Sequence, residues 1–342
     1  MIVGLVVFIL YLYFYVGFNE ISAEFGRLNY LQFSLLYSLA LAAALLSLFL
    51  FSTAWQRLLN ALSIKIGFIR AFQYNAVGTF VDLVIPCQTV CGEIVRVQLV
   101  WQEERKNYGK ILASAFVNRI LFNMITVFGL SAGGILIFLN HSSLSGYIMG
   151  PLIFLIIGTL IYNAVLIVMM VRPGTAKKLF SGFLRLAEIV TFKRFKRDKL
   201  LARAEGSLQN FETGFQIFRE NPKCLIMPSV FLFLSWVFSV LSFVLVFYAM
   251  DYLFLPLDFF LVAFSLTASI QGVAATLSVG TLDIFMTQFL GLYNITIGAS
   301  GVAVLLVRFV VFWFQLIVGY AIIQLIGARN LLSTGSDQKA KK

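Results

Sequence analysis

Apolar runs of helical length alternate with short polar breaks along most of the chain. The runs at residues 1–18, 31–51, 111–138, 147–171, 224–250 and 302–326 are each near the roughly 20 residues that cross a bilayer as a helix. They predict six transmembrane helices. The first run starts at Met1 without a positive n-region or a small-residue cleavage site after it, so it reads as a retained anchor. Two further stretches, 68–100 and 259–298, are equally apolar but interrupted, the first by Gly78, Pro86 and Gly92, the second by Gly272, Gly280 and Gly291. Broken backbone at membrane depth is tolerated only where protein buries it or where it lines a wet cavity. Each stretch therefore predicts a re-entrant helical hairpin. Two full crossings would need about 40 apolar residues, more than the first stretch holds.

Composition agrees with this pattern. Of 342 residues, 60% are hydrophobic, 12% are charged and 36 are Phe, and the mean hydropathy is +0.93. Those values lie far from a soluble average and predict an all-α polytopic membrane protein. Three cysteines, Cys87, Cys91 and Cys224, and the single His141 are too few and too scattered for a zinc site or a disulfide framework. Cys87 and Cys91 read as small apolar fillers. The net charge of +11 is not arranged as a basic stripe interleaved with aromatics, which argues against nucleic acid.

The placement of charge predicts topology. Residues 52–70 hold Arg57, Lys65 and Arg70 without an acid, and residues 172–223 hold twelve Lys or Arg against five acids. Residues 141–146 carry no formal charge, residues 251–258 carry two acids, and the tail ends in Lys339, Lys341 and Lys342. Positive-inside places both termini and the 172–223 loop on the cytoplasmic side of the cell membrane, provided that each interrupted stretch returns to the side it left or crosses twice. The first hairpin then enters from the cytoplasm and the second from outside. This gives one transmembrane domain over residues 1–328, in halves 1–140 and 147–328 related by inverted topology, followed by a cytoplasmic tail, 329–342, expected to be disordered. Inverted repeats place a transporter's substrate site where the halves meet. The 172–223 loop reads either as a basic helix on an anionic leaflet or as a solvated linker. Gly129 and Gly133 form a GxxxG pair on the third span, a candidate packing notch.

The candidate chemistry is the set of charges at membrane depth: Asp82, Glu93, Arg96, Arg119, Asp283 and Arg308, with Asn75, Asn118 and Asn123 as polar company. Glu93 and Arg96 are three apart, and Arg119 and Asn123 four apart, so each pair shares a helix face. Intramembrane charge is costly to keep and is a functional suspect. The alternative is structural: Glu93 with Arg96, and Asp283 with Arg308 or Arg119, would be ion pairs that hold broken helices in place.

Phe80-x-Asp82-x-x-x-Pro86 leads into Gly92-Glu93-x-x-Arg96. Asn118-Arg119, Ser278-x-Gly280 and Arg308-x-x-x-Phe312-Trp313 with Gly319 follow in order. From about residue 31 to 326 this set resembles the lysylphosphatidylglycerol synthase transmembrane domain family, also called flippase-like. The resemblance implies an integral membrane fold with two re-entrant elements that moves an aminoacylated phospholipid between leaflets. The family pattern has Glu-Arg where this chain has Asn118-Arg119, and a turn ending in Glu where this chain has residues 281–286 with Asp283.

The leading expectation is a flippase-like transporter, not an enzyme, without cofactor or metal. Arg96, Arg119 and Arg308 would meet a phosphate, whose oxygens match guanidinium forks. Glu93 and Asp283 would orient the arginines or meet a cationic headgroup, Asp82 and Asn118 would complete the substrate site, and Pro86, Gly92 and Gly280 would shape the hairpins. Partners would be a membrane phospholipid and either a second copy of the chain or a lipid synthase. The alternatives are a lipid-modifying or polyprenol-linked glycosyl transfer enzyme, against which stands the lack of an Asp-x-Asp pair or a Walker-type phosphate loop, and a scaffold docking a synthase through the 172–223 loop.

Overall fold

A computed structural model describes residues 18–85, 90–105, 107–140, 197–274, 278–291 and 293–339, with scattered positions between 150 and 172. Every regular element among them is helical. In chain order these are α1 (Phe18–Arg27), α2 (Tyr30–Ala61), α3 (Phe68–Val84), α4 (Val90–Glu104), α5 (Tyr108–Asn140), α6 (Arg197–Glu220), a 3₁₀ turn at Pro222–Leu225, α7 (Ile226–Ala249), α8 (Leu257–Ala274), α9 (Ser278–Gly291), α10 (Ile297–Arg308), a π-helical segment Phe309–Phe314, and α11 (Gln315–Lys339).

Four helical stretches are long and apolar enough to cross a membrane: Tyr30–Ala61, Tyr108–Leu139, Pro222–Ala249 and Ile297–Gly327. They correspond to four of the six expected crossings. The first expected run lies outside the described residues except for Phe18, and the run at 147–171 is described only at scattered positions. Several boundaries move. The expected loop at 52–70 is half helix, because α2 continues to Ala61 and buries Trp55, Leu58 and Leu59. The last span begins at Ile297, and the tail continues α11 as helix to Lys339. The 172–223 loop contains α6, whose Phe211, Phe215 and Phe218 are buried with Ile111, Ala113 and Ala115 of α5. This portion packs against α5 through its aromatic face and leaves its polar face exposed at Gln209 and Gln216. The apolar residues 179–189 of the same loop lie outside the described residues.

Each interrupted stretch is a pair of short helices: 17 and 15 residues in α3 and α4, 18 and 14 in α8 and α9. The first pair is antiparallel. Arg70 and Tyr74 meet Glu103 at its open end, the tyrosine donating at 2.7 Å. Gly78 touches Gly92 at the closed end, and the Gly92 N–H donates to Asp82 Oδ1 at 2.7 Å. In the second pair Phe259 of α8 stacks on Phe289 near the far end of α9, with centroids 5.3 Å apart. Pro86 lies outside the described residues.

Two hydrophobic cores show that these pairs open at opposite ends of the bundle. One core joins the C-terminal part of α2 (Trp55, Leu58, Leu59) to the start of α5, to α6 and to Ala71, Val97 and Val100 of the first pair. The other joins Ala40 and Ala44 of α2 and Leu130 and Ile137 of α5 to the later half of α7, and to Phe259, Phe289 and Leu290 of the second pair. The Gly129–Gly133 notch serves this second core: a Cβ at Gly129 would run into the Trp236 ring, and one at Gly133 would come within 2.8 Å of Val262. Cys91 departs from expectation. It is disulfide-bonded, while Cys224 is free, so an apolar-filler role does not describe it.

Candidate functional site

The closed end of the first helix pair carries the densest charge in the bundle. Arg96, on the second turn of α4, is 3% exposed and ion-paired with Glu93 one turn earlier. Its Nη1 donates to Asn75 Oδ1 at 2.8 Å, and its guanidinium lies 4.8 Å from the Trp55 ring centroid and 5.7 Å from that of Phe51. A flat, delocalised cation tolerates aromatic faces and a carboxylate together, which explains how one side chain bridges α2, α3 and α4. Asn75 in turn donates to Ser52 Oγ at 3.0 Å. Glu93 also receives Arg119 from α5, through Nε at 3.2 Å and Nη2 at 2.9 Å, both on Oε1. Arg119 is 24% exposed, so it is the more reachable of the two arginines.

The closed end of the second pair holds a separate ion pair. Arg308, the last residue of α10, donates to Asp283 Oδ1 of α9 through Nε at 3.0 Å and Nη2 at 2.5 Å. The backbone then widens into the π-helical turn Phe309–Phe314, a local feature common at functional sites. Tyr37 of α2 supports this junction by donating to the Leu306 carbonyl at 3.0 Å.

Both clusters face one cavity of about 770 Å³. Asp82, Glu93, Arg96, Arg119, Asp283 and Arg308 all line it, with Phe51, Phe122, Phe243, Phe264 and Phe312 among its apolar walls. Three carboxylates thus share it with three guanidiniums. Ser47, Ser235, Ser239 and Ser242 also line it, along the seam where α2 packs on α7. Ser47 Oγ lies 3.0 Å from Ser235 Oγ and 2.6 Å from Ser239 Oγ.

The structure brings together six of the seven residues expected to form a substrate site. Asn118 is the exception: it is fully buried and does not line the cavity. Consecutive helical residues point about 100° apart, so Arg119, with Asn123 and Thr126 on its own face, reaches the cavity while its neighbour Asn118 does not. Asp283 takes Arg308, one of the two pairings foreseen, whereas Arg96 and Arg119 share Glu93. Gly92 sits in the tight contact of the first pair, and Gly280 falls in the first turn of α9. Sequence reasoning missed the serine seam, whose signal was small residues at helical spacing, Ala40, Ala43, Ala44 and Ser47, facing Ser235, Ser239 and Ser242. Among the described residues no group of three or more His, Cys, Asp or Glu could hold a metal ion.

The family described as Lysylphosphatidylglycerol synthase TM region matches residues 1–319. A UPF0104 membrane protein of Methanothermobacter thermautotrophicus is 22% identical over 297 residues, covering 85% of each chain. No solved structure matches. With its helical membrane architecture and a family match over nearly its whole length, the chain belongs to the lysylphosphatidylglycerol synthase transmembrane-region family.

Proposed function

We propose that this protein is a transporter that carries a phospholipid headgroup across the membrane through the central cavity while the acyl chains remain in lipid. One observation carries the reading: both interrupted helix pairs aim charged closed ends into the same cavity, the arrangement expected where re-entrant elements from opposite faces meet around a substrate. The aromatic walls suit a compartment kept dry except for the headgroup. Arg119 is the phosphate-facing residue, since both of its bonded nitrogens go to Glu93 and Nη1 has no partner among the described residues. The widened turn after Arg308 lets Phe312 and Gln315 face the cavity beside it.

In proteoliposomes carrying fluorescent phospholipids, the wild-type protein is expected to speed exchange between leaflets well above protein-free vesicles. Arg119→Ala is expected to slow it about tenfold, the scale of one lost charge-assisted hydrogen bond. Equal rates with and without the wild-type protein would refute the reading.

The proposed orientation follows the same geometry. The end of the bundle with the open mouth of α3 and α4 carries Arg57, Lys65, Arg70 and Lys223 beside Glu103, whereas the opposite end carries Glu24, Asp251 and Asp258 beside Arg27. Positive-inside makes the first end cytoplasmic, and both termini are assigned to that side in the cell membrane. In a background lacking Cys224, an impermeant maleimide should label Lys65→Cys and Leu253→Cys from opposite sides. Labelling from one side would overturn the assignment.

A further inference from the structure

Charge is matched unevenly around the cavity. Arg308 and Asp283 pair with each other. Glu93 serves both Arg96 and Arg119, leaving that cluster with one positive charge in excess. Asp82 has no ion-pair partner among the described residues: its one bond is the Gly92 N–H on Oδ1. One carboxylate charge is therefore in excess beside the arginine cluster. The two excesses are neighbours, because Asp82 holds Gly92, and the next residue, Glu93, holds Arg119. A second sign of an incomplete site is Arg96, which lines the cavity while 3% exposed and has no partner for Nε.

Thr79 adds to the acidic side. It lies three residues before Asp82 on α3, on the same face, and also lines the cavity. Its hydroxyl donates to the Asn75 carbonyl at 3.0 Å, so toward the cavity it offers acceptor lone pairs. Asp82 and Thr79 together form an acceptor-only corner next to a donor-rich one. A primary ammonium carries three donors and no acceptor, and a phosphate the reverse.

Building on the transport reading above, we propose that the cavity selects a zwitterionic phosphoamine lipid, with one phosphate diester at Arg119 and one primary ammonium at Asp82 and Thr79. A headgroup with a second ammonium would find no spare carboxylate, because each of the other two carboxylates lining the cavity already holds an arginine. An anionic headgroup without an amine would leave Asp82 desolvated and unmatched, a cost that slows entry.

Leaflet exchange of three lipids by the full-length protein tests this: phosphatidylethanolamine, its N-acetylated derivative, in which the ammonium becomes a neutral amide, and phosphatidylglycerol. The wild-type protein is expected to move phosphatidylethanolamine at least about tenfold faster than the other two, and Asp82→Asn to remove that preference. Equal wild-type rates for the three lipids, all above protein-free vesicles, would overturn the proposed selectivity and leave transport standing. Absence of exchange for every lipid would overturn both. An Asp82→Asn protein that folds and keeps the preference would also overturn the subsite. Should that variant fail to fold, the wild-type comparison with the N-acetylated lipid decides alone.

Discussion

Arg96→Ala is expected to unfold the protein under mild conditions, with loss of transport as a consequence. The side chain is nearly inaccessible, ion-paired with Glu93, bonded to Asn75, and packed on Trp55 and Phe51. Removing one partner of a buried pair costs roughly 3–5 kcal/mol, because the other charge is left in a dry site. Here Glu93 keeps Arg119 on its Oε1, which places the cost at the lower end of that range. The loss also opens a void between three helices, which adds to the cost. The measurement is the fraction of purified protein that stays monodisperse after graded heating in detergent. Arg96→Ala should aggregate at a clearly lower temperature than wild type, and Arg119→Ala, from a position 24% exposed, should not. Equal heat resistance of Arg96→Ala and wild type would show that Arg96 is no structural clamp. Arg96→Lys should recover little, since an ammonium cannot reach Glu93 and Asn75 in a fork while lying flat on an indole.

This division of labour between two arginines was only half legible in the sequence. Glu93 and Arg96 are three apart on one helix, so their pairing follows from helical geometry. The approach of Arg119, 26 positions from Glu93 in sequence, depends on how α5 crosses the first pair, which local pattern does not encode. For the same reason Asp283 had two candidate arginines, and the observed choice of Arg308 follows from the packing of α9 on α10. Asn118 entered the expected site as a polar residue at membrane depth and as part of the Asn118-Arg119 motif, although neighbours in a helix point to different sides. The crossing helices were readable because hydropathy over 20 residues is a strong signal. The ends were less so: α2 runs past Phe51 because Trp55, Leu58 and Leu59 bury against α5 and α6, a tertiary cause. The π-helical turn within Phe309–Phe314 had no breaker residue to announce it.

The charged site depends on how closely two backbones approach, and Gly92→Ala is expected to have the largest effect on transport of any single added methyl. A Cβ on Gly92 would collide with the Gly78 carbonyl oxygen and with the Asp82 carboxylate. Gly78 is in the same contact from the other side, where a Cβ would stand 2.8 Å from the Gly92 carbonyl oxygen. Neither carbonyl is the end of a flexible side chain, so α3 and α4 must separate. Forcing a methyl into a packed contact costs about 1–3 kcal/mol, and separation also lengthens the 2.7 Å bond from Gly92 to Asp82. Glu93 is the next residue, and its shift moves the partner of both Arg96 and Arg119. A structural effect confined to stability would lower heat resistance and leave the rate per folded molecule unchanged. Displacement of the site lowers that rate about tenfold for each 1.4 kcal/mol of binding lost. Leaflet exchange normalised to monodisperse protein separates the two cases: Gly92→Ala should fall at least tenfold on that scale, and a normalised rate equal to wild type would show that the spacing of α3 and α4 does not govern the site. Gly78→Ala, with the milder overlap, should fall less, because the adjoining Arg96 Cβ at 3.5 Å is within ordinary contact and only the carbonyl must give way.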